Sequence, residues 1–254
     1  MNREAQAAVL LLTGVAMLHA GLSDLYLRYV KAGLRPLLLA AGAVLVVTAL
    51  ATVWYELRRP RGPRRTEAGH GDGRVDDGDD GESHGHGHRH HEPKVAWLLV
   101  LPLLALVLVA PPALGSYAAV RTGTAVPRPF GFPTLPAGDP LRMETADYAG
   151  RAVYDGGRSL RGRQIVLTGF VSIGRDGTPY LTRMVLNCCA ADARPVKIGL
   201  SGRVPPVLRP DAWLEVTGRY IPRRAEDPVN GGPIPFLDVS VARPVRAPAE
   251  PYEG

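Results

Sequence analysis

The stretch QIVLTGFVSIGRDGTPYLTRMVLNCCAADA (Gln164–Ala193) reads as two β-strands around a tight turn. Gln164–Ile173 is rich in β-branched residues and stops at Gly174-Arg175-Asp176-Gly177, a hairpin-type turn signal. Pro179–Cys189 is the returning strand. Downstream, Val196–Leu200, Trp213–Tyr220 and Phe236–Ala242 complete a set of five short strands. Gly169 and Gly218 fall inside strands, where bulges or tight bends curl a small sheet. Five short strands without a long helix predict an all-β domain over 146–254, a small OB-like barrel, with a β-sandwich as the competing architecture.

The hairpin runs into Asn187-Cys188-Cys189-Ala190-Ala191-Asp192-Ala193. Adjacent cysteines point to opposite faces of a regular strand, so both serve one site only if the chain turns there. The Ala-Ala-Asp-Ala run permits that turn, and Asp192 is placed to cap it. Three readings stand side by side. Cys188, Cys189 and Asp192 are candidate ligands of a soft metal site, zinc above all, that needs one more donor. A vicinal disulfide is the second, and a core cysteine beside an incidental one is the third. No histidine follows Ser116, which removes the usual general base, so an enzyme is not expected.

The N-terminal half is of another kind. Ala5–Leu22, Pro36–Tyr55 and Val95–Ala113 are apolar runs of about the ~20 residues that a helix needs to cross a bilayer. They predict an α-helical membrane part with three transmembrane helices: two within 1–57 and a third over 95–115. A Pro-rich linker follows over 116–145. The 254-residue chain carries a formal charge of +6, but its basic residues form no single stripe, so nucleic acid is not an expected partner. Arg58, Arg59, Arg61, Arg64 and Arg65 cluster directly after the second run and assign that loop to the cytoplasm. The β domain is then extracytoplasmic. Arg28, Lys31 and Arg35 in the first loop argue the opposite way.

The loop over 58–94 lacks apolar periodicity and is expected to be disordered. It ends in His84, His86, His88, His90 and His91, candidate imidazole ligands for zinc, nickel or copper.

The order of these features resembles the YcgQ-like family of bacterial membrane proteins, described as a subunit of a two-component permease. The carrying residues are Leu167–Val171, the arginine-containing strand into Cys188–Ala193, Trp213–Gly218 and the closing Pro248–Tyr252. The resemblance implies a multispanning permease subunit as partner, with a link to metal supply. The alternative to an accessory transport subunit is a membrane-tethered ligand-binding, sensor or redox protein without a transport role.

Overall fold

The computed structural model describes residues 3–58 and 112–254. The histidine tract and almost all of the third apolar run lie outside the described residues.

Helix α1 (Arg3–Leu22) and helix α2 (Arg35–Arg58) are joined by a short loop with two 3-10 turns. Among the described residues one helical stretch, Ala32–Arg58, is long and apolar enough to cross a membrane. The apolar part of α1, Gln6–Leu22, is shorter. Of the expected three spans, the described residues thus hold one clear candidate and a shorter apolar companion, and the third falls outside them. Small residues let the two helices meet. A Cβ on Gly14 would lie 2.8 Å from Val46 Cγ2 and 2.9 Å from the Gly42 carbonyl oxygen. Close approach at glycine is how apolar helices gain contact without help from water exclusion. Arg35 Nε donates to the Gly21 carbonyl at 2.9 Å and satisfies an acceptor at the end of α1. Val44, Val47, Leu50, Val53 and Trp54 of α2 remain exposed.

The C-terminal domain is a closed five-stranded barrel. Its strands are β2 (Ile165–Ile173), β3 (Pro179–Val185), β4 (Arg194–Gly202), β5 (Trp213–Glu226) and β6 (Pro233–Pro244). β2, β3 and β4 form an antiparallel meander. β4 pairs parallel with β6, β6 antiparallel with β5, and β5 antiparallel with β2, which closes the wall. That order is compatible with the expected OB-like barrel. Two-residue strands β1 (Leu141–Arg142) and β7 (Tyr252–Glu253) add to β2 and β3 respectively, both parallel.

Alternation decides what faces inward. Ile165, Leu167, Val171, Leu181, Val196, Ile198, Val216 and Leu237 share one buried core. Each such side chain contributes about 1.5–3 kcal/mol by leaving water. The hairpin turn forms where the sequence places it: Gly174 N donates to Thr178 O at 2.8 Å, and Gly177 takes φ +82°. At Gly218 the β5–β6 register shifts, as a bulge requires.

Two helices depart from the all-β expectation. Helix α3 (Ser116–Arg121) occupies the start of the expected linker, its first turn held by Asp211, which accepts from Ser116 N at 2.6 Å and Ser116 Oγ at 2.7 Å. Helix α4 (Thr145–Tyr154) inserts Tyr148, Ala149 and Ala152 into the barrel core. Tyr148 is fully buried and donates its hydroxyl to the Phe236 carbonyl at 2.7 Å.

Candidate functional site

β3 ends at Val185, before the cysteines, and the chain turns through a 3-10 segment at Ala190–Asp192. Asp192 makes the turn. Its Oδ1 accepts from Asn187 N at 3.1 Å and its Oδ2 from Cys188 N at 2.9 Å. These bonds hold the Asp192 carboxyl below its ordinary value, the largest cause being the bond from the Cys188 thiol. The same thiol–carboxylate bond pushes Cys188 up to about 11. Cys188 is exposed, Cys189 is half-buried, and both are free thiols.

The cysteine turn offers zinc no ready set of donors, and each Asp192 oxygen already accepts a backbone amide. Among the described residues no three His, Cys, Asp or Glu side chains gather as a metal site. His84, His86, His88, His90 and His91 lie outside the described residues. A consequence is measurable by alkylation kinetics in a Cys189→Ser background. Asp192→Ala is expected to speed iodoacetamide labelling of Cys188 at neutral pH by roughly tenfold or more, as the thiol returns toward its ordinary value. An unchanged rate would remove the carboxylate as the controlling group.

The cysteine turn has a partner in the loop between α1 and α2. Val30 and Cys189 form an isolated antiparallel bridge. Lys31 N donates to Cys188 O at 3.1 Å, and Ala190 N donates to Tyr29 O at 2.7 Å. Tyr252 extends the contact, donating its hydroxyl to Arg28 O at 3.0 Å and accepting from Leu114 N at 2.9 Å. The turn that carries the cysteines thus also pairs through its backbone, as one half of a clasp.

A second feature lies where the barrel wall divides. The β2–β3 register ends at Phe170↔Thr182. Below it, Ile165 and Val166 pair with β1, while Met184 and Val185 pair with β7. Gly169 marks the split, since a Cβ there would lie 2.7 Å from the Thr182 carbonyl oxygen. Between the diverging strands lies a cleft of about 430 Å³, lined by β1, β2, Arg183 and the C-terminal segment from Pro248.

Arg183 is the buried cation of this cleft, its side chain 9% exposed. Its guanidinium carbon lies 5.0 Å from the Trp213 ring centroid. Nη2 donates to the carbonyls of Glu250 at 3.3 Å and Tyr252 at 3.2 Å. Nε sits 3.2 Å from Glu253 Oε1 without the alignment of a hydrogen bond, and Nη1 has no partner. Glu253 also accepts from Thr145 N and Ala146 N, each at 3.0 Å, and so caps α4 from 108 residues away. Burial raises its carboxyl above the ordinary value, and the neighbouring Arg183 only partly offsets this. The lining carries donors, acceptors and apolar surface but no histidine or cysteine. The arginine strand and the closing Pro-Tyr segment stand out in the sequence, but nothing there gives either a role. The one signal for the cleft is a single arginine within an otherwise apolar strand.

The fold and cleft define a small closed β-barrel domain with a charged opening in its wall. Residues 137–253, from the approach to β1 through β7, match the model of the DUF1980 C-terminal domain family, for which no activity is established. No curated protein and no solved structure matches the chain.

Proposed function

We propose that the protein is a membrane-anchored accessory subunit whose barrel domain binds a ligand on the outer face of the membrane for a multispanning permease. Its helices anchor, and its domain recognises without catalysing. The observation that carries this reading is the clasp between the α1–α2 loop and the Cys188–Asp192 turn. A domain tied by its backbone to the turn between two apolar helices is held at the membrane surface, where it serves a membrane partner. The 24 residues of α2 rise about 36 Å, enough for a hydrocarbon core of about 30 Å. With the loop and the domain on one side, Arg58 and the following arginines fall on the other, in agreement with a cytoplasmic arginine cluster. In the sequence, the apolar run Val95–Ala113 is long enough for the return crossing. The exposed apolar side chains of α2 suit lipid or a partner helix.

A divalent metal as the ligand finds no support in the cysteine turn, since among the described residues no three metal donors gather there. Cysteine labelling in a Cys188→Ser, Cys189→Ser background tests the topology. Val207→Cys, at an exposed position in the domain, is expected to react with a membrane-impermeant maleimide in intact cells. Ala68→Cys is expected to react only after permeabilisation. The reverse pattern, or recovery of the chain in the soluble fraction, would refute the proposal. Mild-detergent purification should in turn retain a multispanning partner.

A further inference from the structure

We infer that the cleft between β1 and β7 binds a small zwitterion of amino-acid or dipeptide size. Its carboxylate is taken by Arg183 and its ammonium by Glu144 and Glu250. This inference rests on the reading of the barrel as a binding module and names the class of ligand.

Arg183 carries an unsatisfied donor. Arg183 Nη1 is buried and has no hydrogen-bond partner, while Nη2 is satisfied by two carbonyls and Nε faces Glu253. Buried charged donors are rarely left unpaired, because the lost hydration is not returned. Arg183 lines a cleft of about 430 Å³, within the roughly 300–1,000 Å³ of small-molecule pockets. With Nη2 and Nε committed, the donor left for an acceptor entering that cleft is Nη1, to which a carboxylate oxygen makes a charge-assisted bond.

Charge around the opening then selects against a simple anion. Glu253 is committed to Arg183 and to the α4 amides. Arg142, on the rim, is committed to Glu215 at 2.7 Å. Glu144 and Glu250 are exposed and line the same cleft, and among the described residues no ion pair engages either. Both act electrostatically on Arg183. A lone carboxylate would be repelled by these two glutamates, whereas a lone cation would leave Nη1 unpaired. A molecule carrying both charges answers both demands. Met143, Val166 and Pro248 add apolar lining suited to an aliphatic side chain.

The test is calorimetric titration of the full-length protein in detergent with glycylalanine, acetate and ethylammonium. Glycylalanine is expected to bind saturably, with acetate and ethylammonium each weaker by about tenfold or more, since each loses one charged contact. Arg183→Met should abolish dipeptide binding. Because Arg183 is buried, exposed Glu250→Gln supplies a second variant. It should weaken glycylalanine by about tenfold while leaving acetate unchanged or tighter. Acetate binding as tightly as the dipeptide overturns the inference, as does absence of binding by all three probes or an indifferent Glu250→Gln. Surface labelling of Val207→Cys is independent of these titrations. A silent cleft on an outward-facing domain therefore refutes the ligand alone, and dipeptide binding by an inward-facing domain refutes the topology alone.

Discussion

Asp227→Ala is expected to cost the barrel domain about 3–5 kcal/mol, the range for removing one partner of a buried ion pair. Lys197 Nζ lies 2.7 Å from Asp227 Oδ2, with side chains 5% and 0% exposed. The ammonium belongs to β4 and the carboxylate to the turn between β5 and β6, so the pair joins two parts of the barrel wall. Asp227 also accepts from Thr124 N and from Val229 N, each at 2.9 Å. Its own carbonyl accepts from Gly231 N at 2.7 Å, where φ is +68°. Alanine therefore strands a buried charge and two backbone donors together. Pulse proteolysis of the full-length protein in urea measures the loss. A combined Lys197→Met, Asp227→Leu variant should recover the part that comes from the stranded ammonium, while Thr124 N and Val229 N stay without their acceptor. A single variant as stable as wild type would show that the pair contributes nothing.

Glu253→Ala is expected to cost a similar amount, about 3–5 kcal/mol, for a different set of reasons. It leaves Arg183 without its carboxylate and the first two amides of α4 without acceptors. The N-cap residue of α4, Glu144, makes no side-chain cap bond, so nothing local replaces Glu253. Glu253→Gln should lose less, since its carbonyl still accepts one amide. The pH dependence separates the two states of this group. Burial raises the folded carboxyl above 4.5, so between 4.5 and that raised value the folded protein holds a proton that the unfolded chain releases. Stability at this position falls as pH rises through that window. The advantage of wild type over Glu253→Gln should accordingly be larger near pH ~4 than near pH ~8. An advantage that grows with pH would contradict the burial of this carboxyl.

The barrel strands are legible in the sequence because alternation and turn chemistry agree in them. Gly174–Gly177 marks the hairpin, and the inward set Ile165, Leu167 and Val171 follows the two-residue period directly. Strand ends are less legible. β5 and β6 run on to Glu226 and Pro244, through prolines and arginines that mark loops in sequence but sit on exposed edges here. Helix α4 is hard to read because it is short and its buried face sets one large apolar side chain, Tyr148, among Ala149, Gly150, Ala152 and the charged Arg151. The capping role of Asp192 is readable from its spacing to Cys188. The Arg183–Glu253 pairing is not, since it depends on β7 returning beside β3 across about 70 residues, a contact that no local pattern encodes.

The proposed function stands on the docking of the domain against the α1–α2 loop, and a cross-link probes that docking in the membrane. The bonds flanking Val30 and Cys189 make them a non-hydrogen-bonded antiparallel pair, whose Cα atoms approach to about 4.5 Å. That separation suits a disulfide. In membranes carrying Val30→Cys, Cys188→Ser and a protease site within 62–82, mild oxidation should join the thiol introduced at position 30 to Cys189. After cleavage the two fragments should then migrate together until reduced. Fragments that separate without reductant, while the full chain remains folded and membrane-bound, would show that the domain does not dock on this loop.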